Sequence, residues 1–247
     1  MKEIGEIMVD FIIFHRGLEQ LGISLEAKQV EQFYHYYKIL MEKNKVMNLT
    51  AITKYEEVVH KHFLDSLSLV LWKGFQGKER LLDVGTGAGF PGIPLKIAFP
   101  ELEVVLLDSL NKRVSFLNEV ITELGLQKIT AIHGRAEDFA RETKYRETFS
   151  LCVSRAVAQL ATLTEYCMPF VEVGGRFVAY KAKGVQEEVE QAQQAIKLLS
   201  GQVEDQVSFQ LPGTEAERVF IIIRKEQIGD KKYPRKAGKP EREPLIF

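Results

Sequence analysis

Gly85, Gly87 and Gly89 stand at alternate positions between Asp83, two residues upstream, and the pair Phe90-Pro91 directly after them. Glycine lets a backbone take positive φ and approach a ligand closely, and an apolar strand running into such a turn is where α/β proteins hold nucleotides. The dinucleotide fingerprint G-x-G-x-x-G needs its last glycine to close the helix on the strand and leave helix N–H groups to a pyrophosphate. That position is Phe90 here, and Pro91 removes a further donor. An ionised Asp83 beside the turn repels a pyrophosphate and attracts the cationic end of an amino-acid moiety. Asp108, 23 residues after Gly85, ends the next apolar run, where a carboxylate grips a ribose diol. These positions describe a nucleoside with a positive charge and no phosphate, which S-adenosylmethionine fits better than a nicotinamide dinucleotide. The plain alternative makes Asp83 a turn cap and Asp108 a strand end.

Two further strand ends carry polar groups. After the third, His133-Gly134-Arg135-Ala136-Glu137-Asp138 offers Glu137 or Asp138 to an adenine, or simply acids to the first turn of a helix. After the fourth, Arg155 is suited to a cofactor carboxylate, a stacked base, a phosphate or a structural ion pair. That strand also limits the methyl acceptor. It lacks the Asn/Asp-Pro-Pro-Tyr/Phe turn that holds an exocyclic amine. Cys152 lies mid-strand and is expected to be buried, so it is not cast as the nucleophile that C5 methylation requires. An acceptor that is already nucleophilic remains, such as guanine N7, which loses no proton and needs alignment rather than a general base.

The elements that must hold these residues follow from periodicity. Residues 3 to 43 are read as helical around a turn at Gly22, with Val30, Phe33, Tyr34, Tyr37 and Leu40 on one face. Residues 44 to 50 are read as a loop, and Tyr55 to Leu71, carrying His60, His62 and Asp65, as helical again. Strands are predicted at 80–84, 104–108, 129–133, 149–154, 176–181, 203–210 and 218–224, with helices at 93–99, 112–124, 159–167 and 185–199. The alternation implies an α/β fold, a mostly parallel seven-stranded sheet with helices on both faces. The last two strands have only Pro212-Gly213 and a few neighbours between them, too little for a parallel crossover, so they form an antiparallel hairpin. The expected division is a helical cap over 1–75, a Rossmann-like domain over 76–226 and a basic, proline-containing tail over 227–247.

Composition excludes several classes. The 247 residues are 45% hydrophobic and 27% charged, with a net charge of -1, so any nucleic-acid partner must meet a local basic patch. Candidates for such a patch are Lys181 and Lys183 after the fifth strand and Lys231, Lys232, Arg235 and Lys236 in the tail, with Arg113, Arg135 and Arg155 near the strand ends. Removing the tail is expected to weaken RNA binding and leave cofactor affinity intact. Cys152 and Cys167 are too few for a zinc site or a disulfide framework, and no metal is expected. His60 and His62, two apart, suit neither a helical metal pair nor a catalytic dyad and are read as structural or RNA-facing. The apolar run Val9 to Phe14 is short and broken by Asp10, so neither a membrane span nor a signal peptide is expected and the location is cytoplasmic.

Several segments together resemble the RsmG (GidB) family: Leu82 to Gly92, Asp108-Ser109-Leu110-Asn111-Lys112-Arg113, Asn48-Leu49-Thr50-Ala51-Ile52, His62-Phe63-Leu64-Asp65-Ser66-Leu67, Arg135-Ala136-Glu137 and Ser154-Arg155-Ala156-Val157-Ala158. The resemblance runs from about residue 25 to 240. It implies a class I S-adenosylmethionine-dependent methyltransferase that acts on guanine N7 in 16S rRNA of the small ribosomal subunit. It also implies cofactor contacts at Gly85, Phe90, Ala136, Glu137 and Arg155, to which the ribose argument adds Asp108. Two other classes are weighed against it. A nucleotide-dependent oxidoreductase on the same fold is disfavoured by Phe90 and Asp83, and a non-catalytic RNA-binding assembly factor would show no methyl transfer.

Overall fold

The computed structural model describes residues 12–155 and 158–246. The first residues of the helix expected from residue 3, Val9, Asp10 and Phe11 of the apolar run, and Ala156 and Val157 of the fourth strand's motif lie outside them. Seven strands form one sheet: β1 (Arg80–Val84), β2 (Glu103–Asp108), β3 (Ile129–His133), β4 (Phe149–Arg155), β5 (Val171–Ala182), β6 (Gly201–Gln210) and β7 (Glu217–Lys225). Their order is β3-β2-β1-β4-β5-β7-β6. The first five run parallel, and β7 pairs antiparallel with both β5 and β6. The winding direction reverses between β1 and β4, and the crevice beyond their carboxyl ends is where such sheets bind ligands.

Side-chain alternation along the strands divides the interior in two. Leu81, Leu106, Val153, Val178 and Ile222 face one core, and Leu82, Leu107, Cys152, Phe177 and Ile221 face the other. Both cysteines are free and buried in the second core. The helices are α1 (12–20), α2 (Ala27–Met47), α3 (Tyr55–Val58), α4 (Asp65–Leu67), α5 (Gly92–Ala98), α6 (Asn111–Glu123), α7 (Ala136–Phe139), α8 (Leu160–Cys167), α9 (Gln186–Leu198) and α10 (Lys239–Arg242). A π-helical stretch, Val59–Leu64, joins α3 to α4. Such stretches are rare and often lie at functional sites.

The N-terminal helices do not keep a core of their own. Phe14, Phe33, Tyr36 and Phe63 belong to the same cluster as Leu81 and Leu106 of the sheet. α2 packs on α5 and α6, and its side chains cap their last turns. Gln29 Nε2 donates to Ile97 O at 2.7 Å and Gln32 Nε2 to Leu124 O at 2.7 Å, which satisfies carbonyls a helix end leaves unpaired. The buried face of α2 is Val30, Phe33, Tyr36, Ile39 and Leu40. Tyr34 and Tyr37, expected on that face, are only partly buried. The face follows the aromatic contacts of Tyr36 with Phe63 and Phe90, which helical spacing by itself does not rank. α2 also runs through Met47, so the expected loop begins later, at Asn48 in a left-handed conformation (φ 51°).

Residues 227–246 lie against the second core. Tyr233 and Pro240 are buried, and the Thr162 hydroxyl donates to Pro240 O at 3.2 Å. Among the described residues no helix is long and apolar enough to cross a membrane.

Candidate functional site

The β1–α5 turn spends its own donors. Gly85 and Thr86 N–H bond Leu107 O, Gly89 and Phe90 N–H bond Thr86 O, and Ile93 N–H bonds Gly89 O. Gly87 N–H donates to Asp108 Oδ2 and Gly92 N–H to Asp83 Oδ2, each at 2.9 Å. None of these groups is left for a pyrophosphate. Gly87 has φ +62° and open space where a Cβ would stand, whereas a Cβ on Gly89 would strike Ile93 and the Tyr36 hydroxyl. Tyr36, fully buried, donates that hydroxyl to Ala88 O. The cap thus fixes the turn from one side while Gly87 leaves its other side open.

Asp83 is fully buried beneath the turn. Its Oδ2 accepts from the Thr86 hydroxyl at 2.6 Å and from Gly92 N–H, and its Oδ1 has no hydrogen-bond partner among the described residues. It lines neither cavity described below, so the cation-attracting role expected of it gives way to a capping role. Burial pushes its carboxyl up to about 6, against the two hydrogen bonds that favour the charged form. Between about pH 4 and pH 6 the folded chain holds this proton and the unfolded chain has lost it, so stability falls as pH rises through that window. Urea denaturation from pH 4.5 to 7.5 should show the wild type losing about 2 kcal/mol relative to Asp83→Asn. Parallel curves for the two proteins would refute this.

Asp108 ends β2 and Arg155 ends β4, the two strands that flank β1. Asp108 accepts from Leu110 N–H on Oδ1 at 2.9 Å, and from Gly87 N–H and Arg113 on Oδ2. Arg155 Nη1 donates to Asp65 Oδ2 at 2.8 Å and to Lys61 O at 3.0 Å. Asp65 also takes Arg218 Nε on Oδ1 at 3.0 Å, so two guanidinium groups share one carboxylate. The Arg155 guanidinium lies 5.2 Å from the Phe90 ring centroid. His62 stacks on that ring at 4.4 Å and 19°, and its Nε2 meets the Thr50 hydroxyl at 2.9 Å. Burial, and then the charge of Arg155, push the imidazole down to about 3, so it stays neutral. Sequence reading gives Asp65 and Tyr36 no site role and leaves His62 as structural or RNA-facing. The i, i+3 spacing of His62 and Asp65 was the available signal, and the π-helical turn that aims them has none.

The six candidate cofactor residues line two adjoining cavities. Gly85, Phe90, Asp108 and Arg155 line one of about 420 Å³, the loop cavity. Gly85, Ala136 and Glu137 line another of about 300 Å³, completed by Tyr166 and by Gly238 and Glu241 of the tail. The two meet at Gly85 and Ser109. Gly238 N–H donates to Glu137 Oε1 at 2.8 Å, so the tail is a wall of this second cavity.

The basic candidates are placed unequally. Arg235 bonds Glu165, itself 1% exposed, through Nε, Nη2 and its backbone N–H. Lys181 bonds Glu188 at 2.6 Å and Ala158 O at 2.9 Å. Lys183 and Lys232 make exposed pairs with Glu217 and Asp230, and Lys231 and Lys236 are exposed. Among the described residues no group of three or more His, Cys, Asp or Glu is placed to hold a metal.

The model of the family described as rRNA small subunit methyltransferase G matches residues 29–217 of this chain. The chain belongs to that family. Members include the ribosomal RNA small subunit methyltransferase G of Lachnoclostridium phytofermentans, 55% identical over 97% of this chain and 99% of its own length. The enzyme of the same name from Thermoanaerobacter sp. is 51% identical over 93% of this chain and 95% of its own. As a member of the methyltransferase G family the chain is a methyltransferase. Among solved structures, MtNAS in complex with MTA and tNA aligns with 15% identity and a TM-score of 0.53, over 77% of this chain and 71% of that one. That likeness bears on the fold alone, which is the class I methyltransferase architecture.

Proposed function

We propose that this chain transfers the methyl group of S-adenosylmethionine to N7 of a guanine in 16S rRNA of the small ribosomal subunit, in the cytoplasm. The carrying observation is the pair of cavities that share Gly85, beside a turn whose Gly85, Thr86, Gly87, Gly89 and Phe90 N–H groups are already bonded. An elongated nucleoside without phosphate suits that space. Glu137 keeps Oε2 outside its bond to Gly238, suited to an adenine amino group beside Ala136, and Asp108 Oδ1 has acceptor capacity left for a ribose hydroxyl. Gly85, Phe90 and Arg155 surround the amino-acid end. Bound there, the cofactor supplies a methyl carbon on cationic sulfur, and attack on that carbon by a ring-nitrogen lone pair returns the C–S pair to sulfur and leaves the charge on the purine. No proton moves, and this chain's part is alignment: His62 stacks on Phe90 and meets Arg155, which Asp65 holds.

Exposed Lys231, Lys232 and Lys236 remain candidates for rRNA phosphates. Incubation with 16S rRNA from cells lacking the modification, followed by nucleoside mass mapping, should yield N7-methylguanosine. No transfer would leave only a binding role. Stabilisation by a reduced nicotinamide dinucleotide and not by S-adenosylhomocysteine would point to the oxidoreductase class instead.

A further inference from the structure

A third cavity, of about 500 Å³, lies on the far side of His62 and Arg155 from the loop cavity, and those two side chains line both. It is floored by Tyr180 of β5, walled by Ile52 of the cap and Ala182, and edged by Asp65 and Arg218 of β7. The Tyr180 hydroxyl is tied to Ser66 O at 3.0 Å and its ring packs on Phe220, so it gives the cavity a small patch of aromatic surface. Arg218 spends Nε on Asp65 and Nη1 on Glu217 O, keeps Nη2 outside these bonds, and has a side chain 25% exposed. With Arg155 and Arg218 against the single carboxylate of Asp65, the local balance is cationic.

We propose that this cavity receives the acceptor purine, flipped out of its RNA strand, with Arg218 donating to an exocyclic oxygen of the base. The inference rests on the activity proposed above and names where its acceptor sits. Ile52, Tyr180 and Ala182 give a base nonpolar contact, and extrusion of a target base is how enzymes reach atoms in a folded nucleic acid. Guanine presents O6 and N7 on one edge, whereas adenine presents an N–H donor where O6 would be. An arginine that takes O6 alone leaves N7 open and meets an adenine with donor against donor. His62 and Arg155 form the wall shared with the loop cavity, and Arg155 Nη2 lies 3.4 Å from His62 Nδ1. Transfer needs the acceptor nitrogen within about 3–3.5 Å of the methyl carbon, so the base reaches past these two side chains at the boundary of the two cavities.

Two variants test the cavity from different sides. Arg218→Met removes the donor, and Ala182→Trp fills the space from an exposed position without touching the Asp65 pairs. Methyl transfer to 16S rRNA lacking the modification and calorimetric binding of S-adenosylhomocysteine are measured for each beside the wild type. The expected result is a drop of at least tenfold in kcat/KM for rRNA in both variants, with S-adenosylhomocysteine affinity within twofold of wild type. Wild-type kcat/KM in Ala182→Trp overturns the assignment, as does a matching loss of S-adenosylhomocysteine affinity, which would give the cavity to the cofactor. If Arg218→Met alone keeps wild-type kcat/KM, the oxygen-reading role is wrong. A wild-type chain that transfers no methyl group at all defeats the proposed activity, and the acceptor cavity with it.

Discussion

Arg155→Ala is expected to lower kcat/KM for rRNA by on the order of 100-fold, the scale of misaligned reacting groups, and to leave the chain folded. The side chain lines both the loop cavity and the outer one and lies over Phe90. Its removal frees Phe90 and His62 to shift where donor and acceptor must meet. Deleting one partner of a buried pair usually costs about 3–5 kcal/mol, because the other charge is stranded. Asp65 is not stranded here, since Arg218 remains on its Oδ1. Rates with rRNA, read beside a urea melt, check both halves. Unchanged kcat/KM would make Arg155 a structural ion-pair partner only.

Deleting residues 231–247 should have the largest effect on both stability and cofactor affinity. The deletion strands Glu165, whose carboxylate is buried against Arg235, at about 3–5 kcal/mol. It also removes the Gly238 donor from Glu137 and the Gly238 and Glu241 wall of the smaller cavity. Losing one hydrogen bond to a charged group corresponds to about tenfold in S-adenosylhomocysteine affinity. Replacing the ion pair by nonpolar groups, Arg235→Met with Glu165→Leu, keeps the tail in place and should hold stability and affinity near wild type. Calorimetric titration and urea melts of the three proteins distinguish the cases. A truncated chain that binds S-adenosylhomocysteine as tightly as the full one would restore the view of the tail as an independent RNA-binding segment.

That reversal shows where sequence reading stops. The strand ends were legible because hydrophobic runs and glycine punctuation are local: β1 and β3 fall on the expected residues, and the final hairpin follows from its short connection. The bias against pyrophosphate was legible too, since one aromatic and one proline decide it. The fate of the tail was not. Five basic residues between 231 and 239 read as a free patch, but the partners of Arg235 and Gly238 lie 70 and 101 residues away. Asp83 misled for a related reason. Its type suggested a cation, while the hydrogen bonds that occupy it come from the very turn it precedes. Tyr36 was invisible as a site residue because helical spacing marks a face and not which of its aromatics reaches the neighbouring loop.

The tail's contact with Glu137 also bears on how the protein is made. Chains emerge from the ribosome N-terminus first, so every strand of the sheet is synthesised before the residues that wall the smaller cavity. The smaller cavity is thus completed by residues translated after the whole sheet, Gly238 and Glu241. A copy clipped before Gly238 carries the sheet, the glycine turn and Arg155 but an open smaller cavity, and under the proposed activity it competes poorly for the methyl donor with whole copies. The same geometry advises placing purification tags at the N-terminus.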